Sequence, residues 1–215
     1  MSVVSGDKML NKALGPVWHA KHRAQGSAPG GLRGVDQEAT WSKSHSDGWV
    51  YGHGSFCLVA HSLCMLGAFK YMRNSAHEAK RLGLEPGALR GVITTVVVDG
   101  KADDQALCRE FQRQRGMPLV TTPRNNSDHT EARQQMIHIL NLPTNRKRRQ
   151  QRGQTVEPMQ GVAKDIFALA RCWMRGHHND RWLFAAMGVT VQLHQARALK
   201  RQRSVGKIKQ EILGL

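Results

Sequence analysis

The sequence has 215 residues, with 32 Lys or Arg against 16 Asp or Glu and a formal net charge of +16 at pH 7. This length suits one domain with at most a short appendage, and the positive charge favours a polyanionic partner, nucleic acid ahead of a membrane. No run approaches the roughly 18 apolar residues that a bilayer span needs. The start, "MSVVSGDK", lacks a signal-peptide pattern, so we expect a cytoplasmic protein.

The first third of the chain predicts a loop followed by two strands and a helix. Residues 8–48 are rich in Gly, Lys, Arg and His and predict a long polar loop. "GWVYGHGSFCLVAH" (48–61) and "LCMLGAFKYM" (63–72) predict neighbouring strands. "SAHEAKRLGL" (75–84) predicts a short helix.

An uninterrupted run of seven β-branched residues, 92–98, predicts a strand that is buried on both faces of a sheet covered by helices. Asp99 follows at its carboxyl end, the edge where ligands and catalytic groups collect in open α/β sheets. Asp103 or Asp104 can cap the next helix, "DQALCREFQRQRG", which Gly116 ends. Asp99 is therefore free for another role.

The remaining elements are predicted to be a short strand and three helices. "MPLVTT" (117–122) predicts the strand and "DHTEARQQMIHILNL" (128–142) an amphipathic helix. Two closing helices are predicted over 155–176 and 179–203. Their apolar stripes are interpreted as core faces packed on the sheet: Val162, Ile166, Phe167 and Ala170 in the first, and Leu183, Ala186, Met187 and Val191 in the second.

The run "NRKRRQQR" (145–152) carries five positive charges. It fits either a solvated basic loop or a segment that contacts phosphates, and the cationic chain favours the second interpretation. The predicted DNA-contacting residues of this run are Arg146, Lys147, Arg148, Arg149 and Arg152.

Cysteine and histidine spacing gives little sign of a metal site. The four cysteines, Cys57, Cys64, Cys108 and Cys172, form no C-x-x-C pair and are interpreted as reduced, largely buried thiols. The motif "RGHHND" (175–180) invites a metal hypothesis. It is disfavoured because adjacent histidines point in different directions and no Cys or carboxylate lies at ligand spacing.

Three carboxylates fall at predicted element ends. Asp7 follows the apolar pair 3–4, the expected tail of a strand, Asp99 ends the buried strand, and Glu157 lies in the first turn of a predicted helix. Two such aspartates and a glutamate can gather around Mg²⁺, which prefers oxygen ligands. A pair of these ions, roughly 3.5–4 Å apart, would activate a hydroxyl and stabilise the leaving oxygen in phosphoryl transfer.

Four segments resemble the catalytic domain of DDE transposases from bacterial insertion sequences, in the family's order: "GDKMLNKALGPVWHAKH", "VDQEATWSKSHSDGWVYGHGSF", "VVVDGKADDQAL" and "RGQTVEPMQGVAKDIF". The resemblance implies an α/β, RNase H-like mixed sheet flanked by helices, and metal-dependent DNA cleavage and strand transfer. It implies a triad of Asp7, Asp99 and Glu157 that holds two Mg²⁺ or Mn²⁺ ions. Lys164, seven residues after the glutamate, is implied to lie near the DNA end.

The same resemblance implies domain bounds and partners. We expect a DDE transposase catalytic domain over 1–200 and a basic C-terminal tail over 201–215. The partners would be transposon ends and target DNA, bound by a homo-oligomer, with no membrane contact. Six residues precede Asp7, which is short for a complete first strand, so an N-terminally truncated copy is expected.

The sequence departs from the family at three places. Lys101 and Ala102 replace a Gly-Tyr pair, Gln150 stands at a tyrosine position, and Arg152 lies one residue from the expected arginine. The main alternative is therefore an inactive transposase remnant that only binds DNA. A further alternative is a phosphatase-like enzyme with Asp99 as nucleophile, which leaves Glu157 and the excess of positive charge without a role.

Overall fold

The computed structural model describes residues 2–27, 34–44, 47–76, 93–116, 118–124 and 130–214. The strands in these ranges are β1 (Ser2–Lys12), β2 (Thr40–Ser44), β3 (Gly48–Ala60), β4 (Leu66–Arg73), β5 (Ile93–Val97) and β6 (Leu119–Val120). The helices are α1 (Ala20–Ala24), α2 (Gln105–Arg115), α3 (Glu131–Asn141), α4 (Pro143–Asp165), α5 (His177–Lys200) and α6 (Ile208–Leu213). Most of the helix predicted over 75–84 lies outside the described residues.

The six strands form one mixed sheet with β3 and β1 at its centre. One edge of β3 pairs antiparallel with β1, and the other edge pairs antiparallel first with β2 and then with β4. Beyond β1, β5 and β6 add parallel strands. The predicted α/β class is therefore confirmed, with the β-branched strand β5 inside the sheet.

Helices cover both faces of the sheet. On one face, a cluster joins strand residues Met9, Cys57 and Val59 to Val156, Met159 and Val162 of α4 and to Leu183, Phe184 and Met187 of α5. On the other face, Val4, Phe56, Leu58 and Val96 pack against Leu107 and Phe111 of α2. Each fully buried side chain of this kind stabilises the fold by about 1.5–3 kcal/mol, so the two clusters fix how the helices lie on the sheet.

Helix α2 begins and ends as its sequence predicts. The Asp104 side chain accepts a hydrogen bond from the backbone nitrogen of Leu107 (3.0 Å), which makes it the N-cap. Gly116 ends the helix in the left-handed conformation, with φ of 59°, a geometry that favours glycine. The chain between β5 and β6 is thereby held against one face of the sheet.

The first strand is longer than predicted. β1 continues to Lys12 and places Asp7 in its middle, opposite Cys57 of β3, so the prediction that the strand ends at Asp7 is wrong. Its continuation is hard to recognise because buried positions beyond Val4 are occupied by polar residues, including the fully buried Ser5 and Asn11. The polar loop predicted over 8–48 is correspondingly interrupted by the end of β1, by α1 and by β2.

Helix α4 begins much earlier than predicted. It starts at Pro143, a residue favoured in the first turn of a helix, and runs to Asp165. The basic run is therefore helical rather than a loop, and Glu157 lies beyond the middle of the helix rather than in its first turn. Pro158, inside α4, explains the error, because Val-Glu-Pro is also typical of a helix start.

The chain beyond α5 folds back onto the protein. Val205 and Ile208 are buried, and the Glu211 carboxylate lies 3.1 Å from Nη1 of Arg203. Residues 201–214 are thus packed in part, and the domain boundary at residue 200 stays a prediction. Within the described ranges, no helix is both long enough and apolar enough to cross a membrane.

Candidate active site

Asp7 and Asp99 are brought together by the parallel pairing of β1 with β5. Val4 lies opposite Val96 and Ser5 opposite Val97; the same register, continued by two residues, brings Asp7 level with Asp99. Burial raises the pKa of Asp7, and the charge of Asp99 raises it further. Two of the three carboxylates predicted from the sequence are therefore near enough for the charge of one to act on the other.

Asp99 lies half-buried just beyond the end of β5 and begins a short 3₁₀ turn, Gly100–Ala102. Its Oδ1 accepts a hydrogen bond from the Gly100 nitrogen (2.6 Å), and its backbone oxygen accepts one from Oγ1 of Thr121 (2.9 Å). Asp99 therefore caps this short turn, so the expectation that its side chain is free of a capping role is wrong, although Asp104 caps the following helix as predicted. The bond to Gly100 occupies one carboxylate oxygen and fixes the side chain at the sheet edge.

The side chain of Asp7, in the middle of β1, contacts α4. Its Oδ1 accepts a hydrogen bond from the Lys8 nitrogen (2.9 Å), and its Oδ2 accepts one from Nε2 of Gln160 (3.1 Å). Nη1 of Arg152 also lies 3.1 Å from Oδ2, and the Asp7 side chain keeps 18% of its surface exposed. Although burial raises the pKa of Asp7, the guanidinium of Arg152 opposes that rise and stabilises the charged carboxylate.

Glu157 lies on the same helix as Arg152 and Gln160 but is exposed. Its carboxylate folds back along α4 over Gly153, where a Cβ atom would lie 3.1 Å from Oε1. Among the described residues, no hydrogen bond or ion pair joins Glu157 to Asp7 or Asp99. The structure therefore brings two members of the predicted triad together and leaves the third on the adjacent helical surface, with Lys164 exposed further along α4.

The basic run is divided between solvent and the protein interior. Arg146 and Lys147 are exposed, whereas Arg148 donates a hydrogen bond from Nη1 to Oδ1 of Asn145 (3.1 Å). Nη1 of Arg149 donates to the backbone oxygen of Leu140 (2.7 Å) and to that of Thr121 (3.2 Å), and burial lowers the pKa of Arg149. Arg149 therefore ties α4 to the sheet and to α3.

An open groove of about 620 Å³ lies between α4 and the turn after β3. Its polar lining includes Lys147, Arg148, Gln151 and His61. His61 is held by a 2.6 Å contact between its Nε2 and Oγ of Ser5, and burial lowers its pKa. Cations and neutral hydrogen-bonding groups along one open groove suit a phosphate backbone.

A second group of polar side chains was not predicted from the sequence. Nε2 of His53 lies 2.9 Å from Oδ2 of Asp36 and 3.1 Å from Oδ2 of Asp180, and all three residues are buried. Burial raises the pKa of Asp180 to about 6. The three residues belong to distant parts of the chain, so only the packing of α5 on the sheet reveals the group.

No family model matches the sequence, and a comparison with curated proteins also gives no match. Among solved structures, the chain is similar to the piggyBac transposase in a cryo-EM structure of its synaptic complex with hairpin DNA. The TM-score is 0.51 and the sequence identity is 10%, over 96% of this chain and 50% of the transposase chain. The likeness shows a related fold, and the matched region spans half the length of that protein.

Proposed function

We propose that this chain is the catalytic domain of a DDE-type transposase with an RNase H-like fold, which cleaves and joins DNA at the ends of an insertion sequence. The observation that carries the proposal is the placement of Asp7, on β1, level with Asp99, just beyond the end of the parallel strand β5, where the charge of Asp99 acts on Asp7. The likeness to a transposase determined in complex with DNA supports it. The four segments that resemble the insertion-sequence enzymes support it independently of the fold.

The sheet supports the RNase H-like assignment through its topology. Three antiparallel neighbours, β4, β3 and β1, are followed by the parallel strands β5 and β6. Asp7 lies on β1, Asp99 follows the end of β5, and Glu157 lies on α4, the helix that packs over both strands. The same three elements would carry the proposed triad.

The residues present fit a divalent cation of the Mg²⁺ or Mn²⁺ class. Asp7 and Asp99 offer carboxylate oxygens, the donors that these ions prefer, and a cation beside them would offset the burial and the smaller repulsion by Asp99 that raise the pKa of Asp7. Glu157 would join them by turning its side chain away from Gly153. When bound, such ions would supply charge stabilisation for the attacking and leaving oxygens of phosphoryl transfer.

Residues of the chain itself would hold the DNA beside these carboxylates. Arg146 and Lys147 are free of a protein partner among the described residues and face solvent from α4, where they would neutralise backbone phosphates. Arg148 lines the groove beside α4, and Lys164 is exposed further along the same helix. Transposon ends and target DNA would thus lie along α4, bound by a homo-oligomer that pairs the ends.

A DNA-binding protein without cleavage activity is the second candidate, favoured by one specific contact. Arg152 already places a positive charge 3.1 Å from Asp7, where the first candidate needs a metal ion. The exposed Glu157 is consistent with such a remnant. In this candidate the basic face of α4 still binds DNA, whereas Asp7, Asp99 and Glu157 have no catalytic role.

The experiment that separates the candidates compares wild type with Asp99→Asn on a radiolabelled DNA duplex that carries the element's own ends, with Mg²⁺ or Mn²⁺. Transposase activity predicts metal-dependent nicking by the wild type, its loss in Asp99→Asn, and equal DNA affinity of the two proteins. DNA binding without nicking by either protein would instead establish the second candidate. The conservative substitution keeps the size of the side chain, so a matched thermal unfolding curve controls for folding.

A further inference from the structure

The buried group around His53 joins three separate parts of the fold. Asp36 lies in the segment that leads into β2, His53 lies on β3, and Asp180 lies in the first turn of α5. Their side chains are about 1% exposed or less. One donor atom from each falls within 4.8 Å of the others, so the three side chains surround a common point.

The hydrogen bonds of Asp36 and Asp180 differ sharply. Asp36 accepts hydrogen bonds from the backbone nitrogens of Gly176 (3.0 Å, at Oδ2) and Glu38 (3.1 Å, at Oδ1). Neither oxygen of the fully buried Asp180 accepts a well-directed hydrogen bond within the described part of the chain. A buried carboxylate without hydrogen bonds is costly, and this one lies against a group that already contains a nitrogen and a second carboxylate.

The position of the imidazole leaves Nε2 facing two carboxylates. Nδ1 of His53 lies 3.1 Å from the hydroxyl of Tyr71, which in turn contacts Nδ1 of His177. When Tyr71 donates its proton to His177, its oxygen accepts one from Nδ1 of His53. In that tautomer Nε2 of His53 carries no proton and faces Asp36 and Asp180, an arrangement that a cation among the three side chains would stabilise.

The geometry points to Zn²⁺, or a similar divalent transition-metal ion, at this position, and we propose that Asp36, His53 and Asp180 bind it. Ligands at about 2.0 Å in a tetrahedral site lie roughly 3.3 Å apart, close to the 2.9 and 3.1 Å observed between Nε2 of His53 and the two carboxylates. The contact of Tyr71 with Nδ1 is the outer hydrogen bond that orients a metal-binding histidine.

Cys172 is buried, but its sulfur is not among the donor atoms that lie within 4.8 Å of one another. The proposed ligands are therefore one imidazole nitrogen and two carboxylate oxygens. A histidine nitrogen among the donors suits Zn²⁺ rather than Mg²⁺. A metal ion held by these three side chains would fasten the segment before β2 and the start of α5 to β3.

This site lies apart from the proposed active site. His53 pairs with Asn11 of β1, four residues from Asp7, a separation of about 13 Å along the strand. The proposal does not rest on transposase activity, because it uses none of the proposed catalytic residues. Loss of the metal ion from the His53 group would therefore leave the ions of the proposed active site in place.

The test uses the full chain, stripped with a chelator and titrated with Zn²⁺ alone by calorimetry, with bound metal counted by plasma mass spectrometry. We expect the wild type and Asp99→Asn to bind a single tight equivalent and Asp180→Asn to lose it. The Zn²⁺ affinity of Asp180→Asn should fall by more than the roughly 10–100-fold that removal of an outer hydrogen-bond partner of a metal ligand costs. Equal tight binding by Asp180→Asn, or none by the wild type, would overturn the proposal and leave a buried hydrogen-bonded triad.

A second readout covers the case in which Asp180→Asn fails to fold. Co²⁺ added to the stripped wild type should give the intense visible bands of a tetrahedral ion. Cys172→Ser, which removes none of the three proposed ligands, should keep these bands. Zn²⁺ should also raise the wild-type unfolding temperature by mass action. Octahedral, weak Co²⁺ bands with no thermal shift would contradict the site.

Discussion

Arg152 forms an ion pair with Asp7, with Nη1 of the arginine 3.1 Å from Oδ2 of the aspartate. The pair links α4 to the centre of β1. It supplies positive charge to the carboxylate of Asp7, whose pKa is raised by burial and, to a smaller extent, by the charge of Asp99. Arg152 was predicted from the sequence to contact DNA phosphates. Its side chain is instead directed at the proposed metal ligand, beside which its guanidinium supplies positive charge.

Replacement of Arg152 should strengthen Mn²⁺ binding at this position. Arg152→Gln removes the competing charge, so we expect a several-fold tighter Mn²⁺ dissociation constant by calorimetry, whereas Arg152→Lys should resemble the wild type. Weaker binding in Arg152→Gln would mean that the arginine supports the site rather than competes for it. Unchanged binding would place the metal away from Asp7.

Glu157 should be needed for cleavage but not for folding. Because it is exposed and makes no ion pair in the described structure, Glu157→Gln should leave the unfolding temperature unchanged. If it completes the triad, metal-dependent cleavage should fall by roughly 100-fold or more. Glu131→Gln, another exposed glutamate in a helix, is the matched control. Full activity in Glu157→Gln would remove it from the proposed triad.

The exposed part of the basic run should determine the salt dependence of DNA binding. The double variant Arg146→Gln, Lys147→Gln should lower the slope of log affinity against log salt by roughly 2, about one for each phosphate that the protein no longer neutralises. The control is Arg109→Gln, Arg113→Gln, which removes the same charge from α2 on the opposite face of the sheet. Identical slopes for the two variants would show a non-specific effect of net charge.

Asp103 and Arg133 form a buried bidentate ion pair that should contribute to the acid sensitivity of the fold. Nη1 of Arg133 donates to Oδ1 at 2.8 Å and Nη2 to Oδ2 at 2.5 Å. Arg133→Met should cost about 3–5 kcal/mol of unfolding free energy at pH 7, because it leaves a buried carboxylate without its partner. Urea unfolding measures the difference.

The pH dependence of that cost has a definite sign. Burial alone would raise the pKa of Asp103, but the hydrogen bonds from Arg133 and from the Arg124 nitrogen outweigh it and lower the pKa. The pair's contribution is therefore present above the ordinary carboxyl pKa of about 4 and is lost as pH falls through the lower folded value. The stability difference between wild type and Arg133→Met should narrow on acidification. A constant difference down to a pH of about 2 would contradict this assignment.

Several elements were predictable because local chemistry and tertiary structure agree. The β-branched run becomes β5, and Asp104 and Gly116 begin and end α2 as their residue types predict. The strands β3 and β4 and the helix α5 also lie where the sequence places them. In each case a continuous apolar pattern or a strong capping residue marks the element.

The errors arise where polar residues occupy ordered positions. β1 contains Ser5, Asp7 and Asn11 on buried or half-buried positions, so its pattern resembles a loop. The basic run of α4 has the composition of a solvated loop. In the structure, however, Arg149 donates a hydrogen bond to a backbone oxygen and Arg152 pairs with a carboxylate. Asp36, His53 and Asp180 come together only when α5 packs on β3. They are far apart in the sequence, so no local motif predicts the group.

The most direct measurement of the central claim is calorimetric titration of Mn²⁺ into the purified chain in the presence of a short DNA duplex. Wild type is compared with the triple variant Asp7→Ala, Asp99→Ala, Glu157→Ala, and Asp180→Asn serves as a control that leaves these carboxylates intact. We expect wild type to take up more Mn²⁺ than the triple variant, and Asp180→Asn to keep the part of the uptake that the triple variant loses. Equal uptake by wild type and the triple variant would contradict the assembled catalytic site and favour a remnant that only binds DNA.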